Sequence, residues 1–193
     1  PIIYQGVLLD PEHRMYGVPD LLVRSDVLAE LFPGTLDSAE AAHPAPDLPG
    51  AGWHYRVVDV KFRTLGLSAA GGVDNSGSAP AQKVQLFVYN RALGRVQGFE
   101  PPTSYLLGRA WRQRQARGSG CLERLGAVPQ AGTVANRRPV SDVAAAAASW
   151  VRRVRAEGAA WTVVPEPSVP ELYPNDTNRQ DGPWHTAKER IAD

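Results

Sequence analysis

Two acids interrupt apolar runs in the first third of the chain: Asp20 in "GVPDLL", and Asp59 in "YRVVDVKFR", which is followed two residues on by Lys61. Side chains alternate faces along a strand, so Tyr55, Val57, Asp59 and Lys61 share one side and Val58, Val60 and Phe62 the other. In the earlier run Val18, Asp20 and Leu22 share a face, and Pro19, Leu21 and Val23 take the opposite one. If the runs are neighbouring strands their acids meet, and two carboxylates at close range repel unless a cation lies between them. A hard divalent ion such as Mg²⁺ suits such oxygen donors, with the carbonyl of Val60 as a natural further ligand. Lys61, on the side of Asp59, would then orient or deprotonate a water for attack on a phosphodiester. The plainer alternative is a solvated ion pair at a strand end, because charged side chains are mostly exposed.

Lysine is rare here. Of the 21 basic residues only Lys61, Lys83 and Lys188 are lysines. Arginine binds as a flat, permanently charged fork, whereas lysine is a compact ammonium able to stand beside a water or a phosphate. A lysine inside the strand therefore reads as chosen for chemistry.

The elements that must position these residues follow from periodicity and punctuation. "PIIYQGVLLD" and "VPDLLVRSD" read as a hairpin whose connection is bounded by Pro11 and Gly17. "VLAELFPG" reads as a short helix ended by Pro33 and Gly34, and "TLDSAEAAHPAPDLPGAG" as a surface loop. The strand from Tyr55 extends through "RTLGL" to a glycine-rich turn, and a helix begins near Ser78 with Pro80 in its first turn, over "APAQKVQLFVYNRALG". "TSYLLGRAW" and "CLERLGAVP" form a second hairpin across the polar connection "RQRQARGSG". Ser141 is expected to cap a helix, "DVAAAAASWVRRVRAEG", closed by Gly158, with an apolar stripe of Val143, Ala147, Trp150, Val151 and Val154. Arg152, Arg153 and Arg155 fall on its wet side. The tail from Thr162 is rich in proline and asparagine until "PWHTAKERIAD", which reads as the start of a helix. This order predicts an α/β or α+β domain, a mixed β-sheet of about five strands flanked by helices.

Composition narrows the function. The 193 residues are 43% hydrophobic, enough for a core, and 18 glycines with 17 prolines imply many turns. A net charge of +1 gives no overall pull on nucleic acid, so such binding must come from local arginine clusters. No apolar run reaches the roughly 20 residues of a membrane span, and the start has no secretory signal pattern. The single Cys121 excludes an internal disulfide, a four-thiolate zinc site and an iron–sulfur cluster within these residues, and predicts a reducing, cytoplasmic setting. His13, His43, His54 and His185 show no ligand spacing, the "NDT" at 175–177 stands without other signs of secretion, and there is no phosphate-binding Gly-x-x-x-x-Gly-Lys loop.

Taken together, "GVPDLLVR" as a Gly-x-x-Asp element, "VVDVK" as Asp-x-Lys and "QLFVY" as Gln-x-x-x-Tyr resemble the PD-(D/E)XK nucleases in their RecB-like branch. The resemblance covers roughly residues 1–125 with order and spacing intact. It implies a restriction-endonuclease-like fold, with residues 1–130 as the nuclease core and 131–193 as a helical extension leading to further domains. It implies a DNA phosphodiesterase, exo- or endonucleolytic, in which Asp20, Asp59 and Val60 hold Mg²⁺ or Mn²⁺ and Lys61 assists the water. Gln85 and Tyr89, four apart and so on one helix face, would contact the strand or steady the metal shell. Its partners would be single-stranded DNA or duplex ends, together with a helicase or other domains of the same protein, and no membrane. In "LGRAWRQRQAR", Arg109, Arg112, Arg114 and Arg117 would bind phosphates while Trp111 stacks on a base; the alternative is a solvated connection. The family places a further metal ligand, an acid or histidine, on a helix before the first strand, whereas this chain opens directly at "PIIYQG". An excerpt of a larger protein, poorly active by itself, is therefore expected. Two other classes stay open: a binding module of the same fold without catalysis, and a structural or interaction domain in which Asp59 and Lys61 are a plain ion pair.

Overall fold

The structure, a computed structural model, describes residues 2–49 and 52–161; the tail beyond, with its expected helix and the 175–177 triplet, lies outside the described residues. The first hairpin forms only in part: the expected first strand breaks at Gln5, whose φ is 50°, and its second half leaves to pair with part of the expected connection. β1 (Ile2–Tyr4) pairs antiparallel with β4 (Leu21–Arg24), while β2 (Leu8–Asp10) and β3 (Met15–Gly17) make a small separate ladder between them. Helix α1 (Ser25–Leu31) ends one residue before Phe32, ahead of Pro33 and Gly34. The Pro/Ala-rich loop carries a single helical turn, α2 (Ser38–Ala41), because Asp37 accepts a hydrogen bond from the Glu40 amide at 2.7 Å and caps it.

β5 (Tyr55–Leu67) is the longest strand, antiparallel to β4 and parallel to β6 (Thr103–Gln113). A parallel neighbour requires a crossover, and α3 (Ala79–Gln97) supplies it. β7 (Ala116–Gly118) and β8 (Gly126–Pro129) both pair antiparallel with β6, so the second hairpin forms with part of its polar connection drawn into the sheet. The result is a six-stranded mixed sheet, ordered β1-β4-β5-β6-β7 with β8 also on β6.

Both sheet faces are covered near the strand starts. Leu22, Val57, Leu65 and Leu106 pack with Leu86 and Leu93 of α3, while Val23, Val58 and Tyr105 pack with Leu28 of α1 and with Phe32. Polar side chains fix α3 along β5: the Gln97 amide accepts from the Tyr55 N–H at 2.8 Å and donates to the Phe99 carbonyl at 2.9 Å. Asn90 donates to the Pro101 carbonyl at 2.6 Å, and Lys83 to Asn75 at 2.6 Å.

Helix α4 (Val140–Glu157) already includes Ser141, and its buried face differs from the expected stripe. Val140, Ala144 and Ala148 are buried, with Val143 beside them, whereas Ala147 and Trp150 are exposed. The cause is Phe87 of α3, which packs with Val134, Val140 and Ala144 and so selects that face. The chain divides into two units, Pro1–Val151 and Arg152–Asp193. In the second unit Arg153 donates to Glu157 at 3.0 Å and its guanidinium lies 5.4 Å from the Trp161 ring. No helix among the described residues is long and apolar enough to cross a membrane.

Candidate active site

Asp20 sits one position before β4, opposite Asp59 if the Leu21–Val58 register is extended by one. Pro19 follows in that direction and cannot serve as an ordinary ladder residue, since it has no N–H. The Asp20 carboxylate takes over as acceptor, receiving the Val60 N–H at 2.7 Å. That bond holds Asp20 at the place where the β4–β5 ladder stops.

Asp59 is only 2% exposed, although it is a carboxylate. Its Oδ2 lies against the Lys61 ammonium but accepts no well-directed hydrogen bond. Burial pushes its pKa up; the Lys61 ammonium pulls the other way, and the neighbouring Asp20 carboxylate pushes up again. The balance is a carboxyl held above its ordinary range. Asp59 and Lys61 lie on the α3 side of the sheet with Val57, and α3 completes the arrangement. Lys61 Nζ donates to Gln85 Oε1 at 3.3 Å, and Gln85 Nε2 donates to the Tyr89 hydroxyl at 2.8 Å. Tyr89 also packs on the core, so its ring is anchored while its hydroxyl orients Gln85.

Two contributors escaped the sequence reading. A Cβ at Gly17 would overlap the Tyr89 ring, so the glycine of "GVPD" is the surface on which that tyrosine rests. Arg63, on the same strand parity as Asp59 and Lys61, donates to Gln82 at 2.7 Å. Gln82, Gln85 and Tyr89 follow the i, i+3, i+7 spacing of one helix face, a signal that would have found Gln82.

The opposite parity of β5 reverses expectation. Val60 is 46% and Phe62 87% exposed, so beyond Val58 the apolar side faces solvent while the charged side lies beneath α3. Arg109 lies with its guanidinium 5.2 Å from the Phe62 ring; Arg112, Arg114 and Arg117 are exposed, Arg114 in the β6–β7 turn. Trp111 departs from its expected role. The β5–β6 register shifts between Lys61 and Thr64, beside Gly108, where a Cβ would meet Leu65 and the carbonyls of Ala110 and Arg63. The irregularity brings Trp111 opposite Leu65 and onto the core, where its indole N–H donates to Glu123 at 2.8 Å and Arg124 covers its ring at 4.7 Å.

The buried Asp59 carboxylate, with an oxygen that accepts no hydrogen bond and the half-buried Asp20 beside it, fits a hard divalent cation, since both carboxylates offer oxygen ligands. Among the described residues, the cluster of three acids or histidines at ligand spacing is elsewhere, at Asp10, Glu12 and His13. Its carboxylates are already engaged: Arg95 bridges Asp10 and Glu12, and His13 Nδ1 lies 2.9 Å from Asp10. Compared with known family models and with curated proteins, the chain matches none.

Proposed function

We propose that the chain is a metal-dependent nuclease domain of the PD-(D/E)XK type, RecB-like branch, which hydrolyses phosphodiester bonds of DNA as part of a larger DNA-processing protein. The observation that carries this reading is the buried Asp59, with its raised pKa, facing both a second carboxylate and an ammonium that is itself oriented through Gln85 and Tyr89. The antiparallel run β1–β4–β5, followed by a helical crossover to the parallel β6, agrees with a restriction-endonuclease-like sheet. Asp20, Asp59 and the Val60 carbonyl would hold Mg²⁺ or Mn²⁺, which supplies charge neutralisation at a phosphate and acidifies water. Asp59 must be ionised for this, and the Lys61 ammonium favours that state. Lys61 Nζ is positioned to steer a water or to meet charge developing on the phosphate. Gln85 accepts from the same ammonium that pairs with Asp59, and so ties its position to α3.

The test is cleavage of single-stranded DNA with Mg²⁺ or Mn²⁺. Asp59→Asn abolishes it while the fold persists, and Lys61→Arg does the same because a guanidinium fork cannot replace a compact ammonium. Full activity in Lys61→Arg would remove that residue from the chemistry. A second reading, a binding module without catalysis, draws on the lack of a third acid or histidine beside Asp20 and Asp59 among the described residues. It predicts DNA binding with no cleavage and no divalent-metal dependence.

A further inference from the structure

We propose that the solvent-facing strip formed by Phe62, Thr64, Arg109, Arg112 and Arg117 is a tract for single-stranded nucleic acid, with a base stacked on Phe62 and a backbone phosphate held between Arg112 and Arg117. The inference rests on the nucleic-acid reading above but not on catalysis. Phe62 is 87% exposed, and nothing in the fold requires an aromatic ring there. A ring presented to water with a guanidinium 5.2 Å from it offers a flat face that any base can stack on, with added cation–π attraction.

The arginines give the second observation. Arg112 and Arg117 are directly paired across β6 and β7, a juxtaposition of like charges that costs stability. Neither has an ion pair among the described residues, although Asp74 attracts Arg112 from beyond contact distance. Both line one shallow cavity with Thr64 and Ser119, whose hydroxyls suit phosphate oxygens. The one acid on that cavity, Glu123, is engaged by the Trp111 indole N–H. From residue 101 to 122 the chain carries Arg109, Arg112, Arg114 and Arg117 and no acid, so the local charge complements a polyanion although the whole chain is near neutral. Phe62 and Thr64 share the strand parity opposite Asp59 and Lys61. The tract therefore holds a flanking part of the strand rather than the reacting phosphate, and it acts on binding.

The experiment is fluorescence anisotropy of a labelled oligothymidylate with a chelator present, so that cleavage plays no part. Phe62→Ala weakens binding roughly tenfold at fixed salt, within the range seen for single stacking contacts, and Phe62→Trp restores it. On an oligonucleotide abasic throughout, Phe62→Ala has no effect. Arg112→Gln with Arg117→Gln makes the slope of log affinity against log salt shallower by about 0.7 for each phosphate that is no longer neutralised. Equal binding by wild type and Phe62→Ala, an unchanged salt slope in the double variant, or no binding by wild type at low salt overturns the proposal. Duplex DNA whose binding falls equally with Phe62→Ala overturns it as well, because paired bases are not free to stack. Binding that persists without Mg²⁺-dependent cleavage sinks only the nuclease reading.

Discussion

Strand β5 carries two buried charges three residues apart, Arg56 and Asp59, and the fold treats them in opposite ways. Arg56 is saturated. Its Nε donates to His54 Nε2 at 2.7 Å, one terminal nitrogen to the Thr103 carbonyl at 3.0 Å and the other to Glu40 at 2.6 Å. His54 in turn gives its Nδ1 proton to the His43 carbonyl at 2.8 Å, so every member has a partner. Asp59 has an oxygen without a hydrogen bond and a like-charged neighbour. A buried charge with a partner at every polar atom ties elements together; one with an atom left unpartnered is available to something that arrives later.

The largest effect expected from this contrast is Arg56→Met, which strands Glu40, the Thr103 carbonyl and His54 Nε2. It should cost on the order of 3–5 kcal/mol in urea unfolding, the usual result of removing one partner of a buried pair. A loss below about 1 kcal/mol would end the view of Arg56 as the lock. Next comes pH. Burial holds His54 down at about 4 against an ordinary 6.5. As pH falls, the unfolded chain takes up the proton first, so stability declines from about pH 6.5 to about pH 4 and levels off below, by roughly 3 kcal/mol in all. In His54→Gln that decline should vanish from the difference between unfolding curves at pH 7 and pH 4.5.

Gly17→Ala drives a methyl group into the Tyr89 ring and should cost about 1–3 kcal/mol, with Tyr89 fluorescence reporting its displacement. The smallest change, and the one of opposite sign, is Asp59→Asn. The carboxyl of Asp59 is raised above its unfolded value of 3.8, so its ionised form opposes folding, a cost relieved as pH falls through the folded value. At pH 7 the asparagine variant should melt at the wild-type temperature or slightly above it. Melting well below wild type would make Asp59 a structural charge, as Arg56 is.

Much of the site was legible because its signal is local. An acid in each of two apolar runs, a lysine on matching parity and a Gln–Tyr pair one helical turn apart all survive translation into structure, since strand and helix periods place side chains before any tertiary contact does. The β1–β4 pairing, α1, β5 and α3 were legible for the same reason. What was hidden depended on partners far away in sequence. Helix α4 turned by one position because Phe87 on α3 chose its buried face. The turn α2 hid in a Pro/Ala-rich stretch, though Asp37 and Glu40 carry the spacing of a cap. Trp111 could not be placed because strict alternation puts it on the side of Arg109, and only the register shift turns it inward.

That register shift also sets what kinds of sequence change β5 can absorb. Between Lys61 and Thr64 the strand runs one residue longer than β6 does. With that count β5 keeps Asp59 and Lys61 beneath α3 and Leu65 and Leu67 in the core on the same face, while β6 exchanges faces between Leu106 and Trp111. Replacement of Phe62 by any side chain leaves the count in place. Deletion of Phe62 removes one step of the alternation, and every β5 residue on one side of the gap must then exchange faces. Either Leu65 and Leu67 turn to water or Asp59 and Lys61 leave the helix. The fold therefore leaves the identity of residue 62 to the nucleic acid it would stack on, but fixes the length of the strand that carries it.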